Sequence, residues 1–175
     1  APQADASAEH DSTLTAAAGT PCQAEALFEH LFRQSLAGYA RSPLTWHLPC
    51  AADADCASAI RAAHAQGWRA FYLPAGTRLA GDEAIGSPEA PVALVTPGPL
   101  DVGGTPTLHG LLFARETGIN ASDGGAARVL GAVVACASHR QGGHSEVAHD
   151  ADILARLREA LRAYQRVPGS WRDAP

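Results

Sequence analysis

The chain has 175 residues, a formal net charge of −5 and no Lys among its 13 basic residues. This length suits one domain that buries a real core, and the acidic balance excludes a bulk electrostatic attraction to nucleic acid or anionic lipid. No apolar run reaches the roughly 20 residues that span a bilayer, and Met is absent even from position 1. We therefore expect either a soluble protein or a chain from which a membrane segment has been removed.

Residues 1–24 have the composition of a disordered leader or a truncation edge. They are rich in Ala, Ser, Thr and acidic residues and show no apolar periodicity. Such a segment does not bury enough apolar surface to fold by itself. Residues 25–175 are predicted to form a single head domain.

Two helices and a strand are predicted at the start of this domain. Apolar residues recur at helical spacing over residues 25–40, and Gly38 and Pro43 mark the end of that helix. An Ala-rich stretch over residues 56–66 predicts a second helix, which Gly67 stops. Residues 70–74 follow as a strand built on apolar and aromatic side chains.

The middle of the chain is predicted to be β-structure in short pieces. The predicted strands cover residues 92–96, 100–102, 107–114 and 129–137, and Pro and Gly supply the turns between them. Residues 116–126 and 140–149 are predicted to be loops, because turn-forming or polar residues dominate them.

Six glycines recur through this region at intervals of about six residues. They are Gly98, Gly104, Gly110, Gly118, Gly124 and Gly131. Such a beat in Val- and Leu-rich sequence is typical of β-structure that winds in short rungs, each packed on the next. We predict an α+β fold with an N-terminal helix, a short β-solenoid-like or antiparallel core, and a C-terminal amphipathic helix.

The C-terminal helix is predicted to begin after Asp150, whose side chain can accept hydrogen bonds from the free N–H groups of the first turn. Asp152 in the first turn, and Arg162 and Arg166 near the end, complement the helix dipole. Pro168 and Gly169 then end the helix. Its apolar face consists of Ile153, Leu154, Leu157, Leu161 and Tyr164.

The four cysteines indicate the cellular compartment of the protein. Cys50 and Cys56 flank a short polar loop, and their spacing permits a local disulfide. If that pair forms, Cys22 and Cys136 are left to each other. Zinc and free thiols are the alternatives, but the chain has no C-x-x-C pair for zinc. Disulfides are the favoured prediction and imply the periplasm or the cell surface.

A histidine-rich segment is the strongest candidate for a metal site. His139, His144 and His149 recur every five residues, with Glu146 and Asp150 nearby. This spacing fits neither a helix face nor a strand face, and a loop imposes no ligand geometry. The prediction is a solvated polar loop, with no metal and no cofactor.

No catalytic residue is predicted elsewhere. Ser145 lies beside His144 but lacks the G-x-S-x-G pattern of a nucleophile elbow, and the adjacent Asp82 and Glu83 would point apart in an extended segment. The Gly103–Gly104 pair and the Asn120 sequon are interpreted as uninformative. Trp46, Trp68 and Trp171 are interpreted as packing residues, with docking to a partner subunit as the alternative for Trp171.

The tail carries the most specific motif, which consists of Val167, Pro168, Gly169, Ser170, Trp171, Arg172 and Asp173. It closely resembles the C-terminus of PilX-type pilus assembly proteins, which are minor pilins of type IV pili. Further segments resemble the same family in the same order: Phe28 and Phe32, Cys50 and Cys56, residues 71–76, residues 85–87, residues 91–95, and residues 108–113. The resemblance covers residues 27–173.

The sequence departs from the family pattern in three respects. Ala174 and Pro175 follow Asp173, where a terminal aromatic residue is expected. Cys22 and Cys136 lie outside the pattern. The N-terminal hydrophobic helix that anchors and assembles pilins is absent, and we expect that it has been removed.

The resemblance implies a low-copy, non-enzymatic subunit that primes pilus assembly at the inner membrane. Its expected partners are other minor pilins and, near the fibre tip, a large adhesin, and its expected location is the periplasm and then the pilus. The alternative is a tip module that binds DNA or a surface glycan through Arg115, Arg128 and Arg140, although the acidic balance argues against nucleic acid. A periplasmic enzyme and a bactofilin-like polymerising scaffold are weaker alternatives.

Overall fold

The computed structural model describes residues 23–48, 50, 53–73, 76–122 and 124–162. Within them the chain forms a β-solenoid of about 5 turns with helices around it, which confirms the predicted α+β class and solenoid core. Every pairing between the described strands is parallel, which excludes the antiparallel alternative. The helices are α1 (Ala24–Phe32), α2 (Leu36–Arg41), α3 (Asp53–Ala65) and α4 (Ala151–Arg162). The strands are β1 (Thr45–His47), β2 (Ala70–Tyr72), β3 (Thr77–Leu79), β4 (Val92–Val95), β5 (Pro99–Val102), β6 (Thr107–Ile119), β7 (Arg128–Gln141) and β8 (Glu146–His149).

The strands stack on three sides of the solenoid. The first side consists of β1, β2, β4, residues 110–114 of β6 and residues 131–135 of β7. The second side consists of β3, β5, residues 116–119 of β6 and residues 138–141 of β7. The third side consists of residues 107–109 of β6, residues 128–130 of β7, and β8. β6 and β7 are long because each of them passes through all three sides.

Apolar side chains from all three sides fill the interior in columns. The columns are Phe71, Leu94 and Leu112 on the first side, Leu79, Val102 and Ile119 on the second, and Leu108 and Val129 on the third. All of these side chains are buried. Because burial of one such side chain stabilises by about 1.5–3 kcal/mol, the columns hold successive turns together.

The predicted glycine beat corresponds to the sides of the solenoid and not to complete turns. Val92, Gly110 and Gly131 stack at the corner between the third and first sides. Their numbers differ by 18 and then by 21, so one turn takes about three beats. Gly110 has a φ of 143°, and a Cβ there would lie 1.8 Å from the Val92 carbonyl oxygen. The close approach of two backbones therefore requires glycine at this corner.

The other repeat glycines have different places. Gly104 stacks on Gly81 at the corner between the second and third sides, again with a positive φ. Gly98, Gly118 and Gly124 lie in the turn before β5, within β6, and in the loop after β6. Gly118 is stacked between Asp101 and Arg140 on the second side, whereas Gly98 and Gly124 lie outside the strands. The even spacing thus combines corner positions with glycines in other places.

Helix α3 closes the interior at the first turns of the solenoid. Cys56, Ala57, Ile60 and Ala63 on one face of α3 belong to the same buried cluster as the interior columns. Trp46 and Trp68 pack against this cluster with ring centroids 4.9 Å apart, as expected for packing residues. We call α3 the cap helix, because its apolar face covers the end of the interior.

The predicted single helix over residues 25–40 is not supported. Arg33 adopts a left-handed φ of 56° at the end of α1, and the Ser35 hydroxyl accepts a hydrogen bond from Gly38 N at 3.0 Å, which starts α2. A Ser side chain that bonds its own backbone favours a helix start over a helix interior. The two short helices cover the outside of the first side, where Phe28 packs edge to face on Phe113 at 4.9 Å.

Helix α4 begins as predicted. The Asp150 carboxylate accepts hydrogen bonds from Asp152 N and Ile153 N, both at 3.0 Å, which confirms the predicted cap. Ile153 and Leu157 are buried, and α4 contacts β6 and β7. The predicted later part of the helix, with Tyr164, Arg166, Pro168 and Gly169, lies outside the described residues, as does the whole tail motif over residues 167–173.

Two predicted loops are partly wrong. β6 continues through the polar residues Glu116 and Thr117 to Ile119, and residues 140–149 contain the end of β7 and all of β8. These residues are strands because the turn before them offers a parallel strand in register. A backbone partner thus imposes an extended conformation that their own side chains do not predict.

Candidate functional site

The last turn of the solenoid lacks a strand neighbour on its outer side. β7 pairs with β6 along most of its length, but it pairs with β8 only through residues 128–131. Residues 132–135 and 138–141 of β7, and the whole of β8, therefore pair with no further strand among the described residues. We call residues 131–149 the open rung. Unpaired strand edges of this kind are templates for pairing with another chain.

Exposure changes sharply between the open rung and the turn below it. The interior positions of the turn below are Leu112, Thr117, Ile119 and Val129, which are all buried. The positions stacked on them in the open rung are Val133 and Val147, which are half-buried, and His139 and Gln141, which are exposed. The interior thus ends at the open rung, and no described residue covers it.

The three predicted histidines all lie in the open rung, but on different parts of it. His139 lies in β7 on the second side, His144 in the turn after it, and His149 at the end of β8. The His139 Nδ1 atom lies 2.7 Å from the Thr117 hydroxyl, and Thr117 is the residue below it in the stack. Among the described residues no group of three or more His, Cys, Asp or Glu side chains is placed to hold a metal ion.

Ser145 holds the turn between β7 and β8. Its hydroxyl donates to the Gly142 carbonyl at 2.5 Å and lies 3.3 Å from the Ile119 carbonyl. The Gln141 side chain donates to the Ser145 carbonyl at 2.7 Å. These contacts fix the corner of the open rung, and they give Ser145 a structural role in place of the nucleophile role considered from the sequence.

The adjacent acidic residues have separate partners. The Asp82 carboxylate accepts from the Thr105 hydroxyl at 2.9 Å, and Glu83 forms an exposed ion pair with Arg61 at 2.7 Å. Asn120, the first residue of the sequon, is buried, donates to the Gly104 carbonyl and accepts from Ala127 N. Each of these polar groups holds a turn or joins two elements.

The three arginines of the predicted binding stripe do not share one side. Arg115 lies at the corner between the first and second sides, Arg128 on the third side, and Arg140 on the second side of the open rung. Arg128 also pairs with Glu146 across the stack at 2.9 Å. The solenoid therefore presents no continuous basic surface along these residues.

The cysteines differ from their predicted arrangement. Cys50 carries a free thiol, so the structure does not contain the predicted Cys50–Cys56 disulfide. Cys56 is buried because it belongs to the interior face of the cap helix. Cys136 in β7 is disulfide-bonded, and its predicted partner Cys22 lies outside the described residues.

A shallow groove of about 310 Å³ lies apart from the open rung. It lies where α4 ends, between Leu44, Trp68 and Leu161. Arg69 is the charged residue of its lining, and its guanidinium donates to the His64 and Trp68 carbonyls at 3.1 and 2.9 Å. The groove therefore offers mainly apolar surface.

Comparison with protein-family models, with curated proteins and with solved structures finds no match to this chain. The resemblance to minor pilins thus depends on the sequence motifs alone and stays a prediction. Across the described residues, we find no helix with the length and apolar character to cross a membrane.

The open rung was not predicted from the sequence. A signal was present, because residues 138–141 are Ser, His, Arg and Gln, whereas the equivalent positions 116–119 of the turn below are Glu, Thr, Gly and Ile. Polar residues at interior positions mark the end of a solenoid core. This signal is visible only after the register between the two turns is known.

Proposed function

We propose that this chain is a non-enzymatic head domain that supports the assembly of a larger structure, a type IV pilus, by contacts with other protein subunits. The observation that carries the proposal is the open rung, which leaves strand edges on all three sides without a described partner. Unpaired edges favour association with protein backbone, because main-chain hydrogen bonds supply affinity to whatever strand docks there.

The polar residues considered for catalysis support the same proposal. Ser145 fixes a turn, Asp150 caps α4, and Asp82 and Glu83 bond to different neighbours. A catalytic constellation requires a nucleophile or base within hydrogen-bond reach of an orienting partner in one cleft. The described residues place these groups on separate parts of the surface instead.

The pilus part of the proposal derives from the sequence resemblance. The tail motif over residues 167–173 and the order of the internal matches are those of PilX-type minor pilins. By this resemblance the chain is the head of a subunit whose full-length form is anchored in the inner membrane. The subunit acts in the periplasm with other minor pilins, where it primes the fibre or stays near its tip. A solenoid with one capped and one open end is suited to such a role, because it offers a defined docking end.

Deletion of the gene in the source organism tests the proposal. We expect surface pili, counted by electron microscopy, to decrease strongly, and the wild-type gene to restore them. An Arg140→Glu gene should restore them poorly, because the change places a repulsive charge at the open rung. Arg78→Glu is the matched control, because Arg78 occupies the same outward column of the second side at the capped end. Normal piliation in the deletion strain would refute the proposed function.

A further inference from the structure

We infer that the open rung binds the open rung of a second copy of this chain, so that two solenoids meet end to end in a two-fold dimer. The inference rests on the proposed docking role of the open rung and identifies the partner. It follows from the backbone edges, from the cap at the other end of the solenoid, and from the charges on the two sides that would meet.

The outline of the free edges favours a second copy. Residues 132–135, 138–141 and 146–149 present strand edges on three different sides of one turn. A single extended peptide can pair with one of them. A partner that pairs with all three must itself present strand edges in the same three-sided outline, and a second copy does so by identity.

The direction of the free hydrogen-bonding groups agrees with this pairing. Gly142 N donates to the Ile119 carbonyl in the turn below, and Glu146 N donates to the Ala127 carbonyl. Since backbone groups alternate in direction along a strand, the N–H groups of His139, Gln141 and Val147 point away from the turn below. These donors are available to an incoming strand.

The cap helix limits the assembly to two chains. Ile60 on α3 is fully buried in the interior cluster at the first turns, so that end does not offer the interior to another solenoid. The outermost strands at that end are the three-residue β1 and β3, so a head-to-tail neighbour would find strand edges on two sides only. Two open rungs can pair on all three sides. The same surface then serves both subunits, which is the geometry of a closed two-fold dimer.

The charges of the open rung are complementary under this symmetry. Consider a two-fold axis that is perpendicular to the solenoid axis and passes through the middle of the first side. It places the first side of one chain on the first side of the other, and the second side of one chain on the third side of the other. The exposed Arg140 of the second side would then approach the exposed Glu146 of the partner's third side, while the half-buried Val133 would face its own copy. Opposite charges at the rim fix the register of such an interface.

The test is the mass of the full chain in solution across a dilution series, measured by light scattering after size exclusion. We expect a dimer with twice the 18.0 kDa mass of the chain. Arg140→Glu should raise the dimer dissociation constant at least about tenfold, because the new carboxylate faces Glu146. The double variant Arg140→Glu with Glu146→Gln removes the repulsion without placing a second cation beside Arg128, and it should dimerise more tightly than Arg140→Glu alone. Arg78→Glu should have no effect on dimerisation. Circular dichroism verifies that each variant folds.

Three outcomes would overturn the inference. The first is a monomer at every concentration, and the second is a dimer whose dissociation constant none of the charge changes alters. The third is a monomer in which the amides of residues 139 and 141 are protected from hydrogen exchange and lose protection when residues 1–22 or 163–175 are removed. In that case a terminal segment of the same chain covers the open rung.

The two proposals fail in different ways. A monomer whose Arg140→Glu variant still restores pili poorly would overturn the second-copy inference and leave the docking role intact. A dimer in solution, combined with normal piliation after gene deletion, would overturn the pilus function and leave the dimer.

Discussion

The two ends of the solenoid differ: a helix covers the interior at the first turns, whereas strand edges border it at the last turn. At the first turns the cap helix adds Ile60 and Cys56 to the interior, and both are buried. At the last turn the equivalent space is bordered by His139 and Gln141, which are exposed. Stacked repeats need a different residue pattern wherever the stack stops. The first end is covered by a helix of the same chain, whereas no described strand pairs with the outer side of the last turn.

The two ends should also contribute differently to stability and to association. A buried cap contributes hydrophobic free energy to folding, and a polar edge contributes little until it is paired. We therefore expect substitutions near the cap to change the free energy of unfolding, and substitutions in the open rung to change association. The following predictions, ordered by the size of the effect, test this difference between the two ends.

The corner glycines should be the most sensitive positions, because both ends depend on the stack between them. In Gly110→Ala the new Cβ would overlap the Val92 carbonyl, so we expect a loss of more than about 4 kcal/mol in the free energy of unfolding. Urea denaturation measures the loss. Gly124→Ala is the control, because no atom lies within 4 Å of a Cβ there, and it should stay within about 0.5 kcal/mol of wild type. Similar stabilities of the two variants would contradict the assigned stacking.

The cap should tolerate truncation far less than the open rung. Ile60→Ala removes a fully buried side chain and should cost about 2–5 kcal/mol. Val147→Ala, at a half-buried interior position of the open rung, should cost about 1 kcal/mol or less. Both values come from thermal unfolding of the Arg140→Glu chain, in which the open rung is expected to be unpaired. A larger cost for Val147→Ala would mean that the last turn is covered.

Asp150 lies between the open rung and helix α4, and its carboxylate caps the first turn of that helix. Asp150→Ala removes the acceptor of two backbone hydrogen bonds and should cost about 0.5–2 kcal/mol. Asp152→Ala removes only a favourable interaction with the helix dipole and should cost about 0.5 kcal/mol or less. Chemical denaturation measures both. If the two substitutions cost the same, the Asp150 carboxylate does not act as a cap.

Acid should weaken the fold through His109, on the outer face of the third side. Burial lowers the pKa of His109 below its ordinary value of 6.5 and outweighs the raising effect of the Gly86 backbone. The unfolded chain then binds a proton more readily than the folded chain, so stability is complete above about pH 6.5 and falls as the pH decreases below it. His109→Gln should flatten this part of the curve of melting temperature against pH. An unchanged slope would exclude His109 as its source.

Much of the fold was predictable because it is encoded locally. The strand over residues 92–96 was predicted to within one residue of β4, and the Asp150 cap was predicted correctly. Both depend on patterns within a few residues, namely an apolar run bounded by turn residues and an acceptor before an amphipathic helix. The glycine beat predicted winding for the same reason, since corners recur at the length of one side.

Other features depend on contacts between distant residues. The extended conformation of Glu116 and of Arg140 arises from pairing with neighbouring turns, and the break between α1 and α2 from a left-handed Arg33 and the Ser35 cap. The position of Cys56 in the buried interior cluster depends on the packing of the cap helix against distant strands. None of these is visible in a window of adjacent residues, because each depends on which turn lies next to which.

Local patterns in the sequence are sufficient to predict an α+β protein with a wound β-core, because apolar periodicity and glycine spacing act over short distances. The length of one turn, the parallel pairing of the described strands and the difference between the two ends follow from the three-dimensional arrangement. An end of the solenoid is defined by the absence of the next neighbour, and paired residues in this fold lie 17 or more residues apart along the chain.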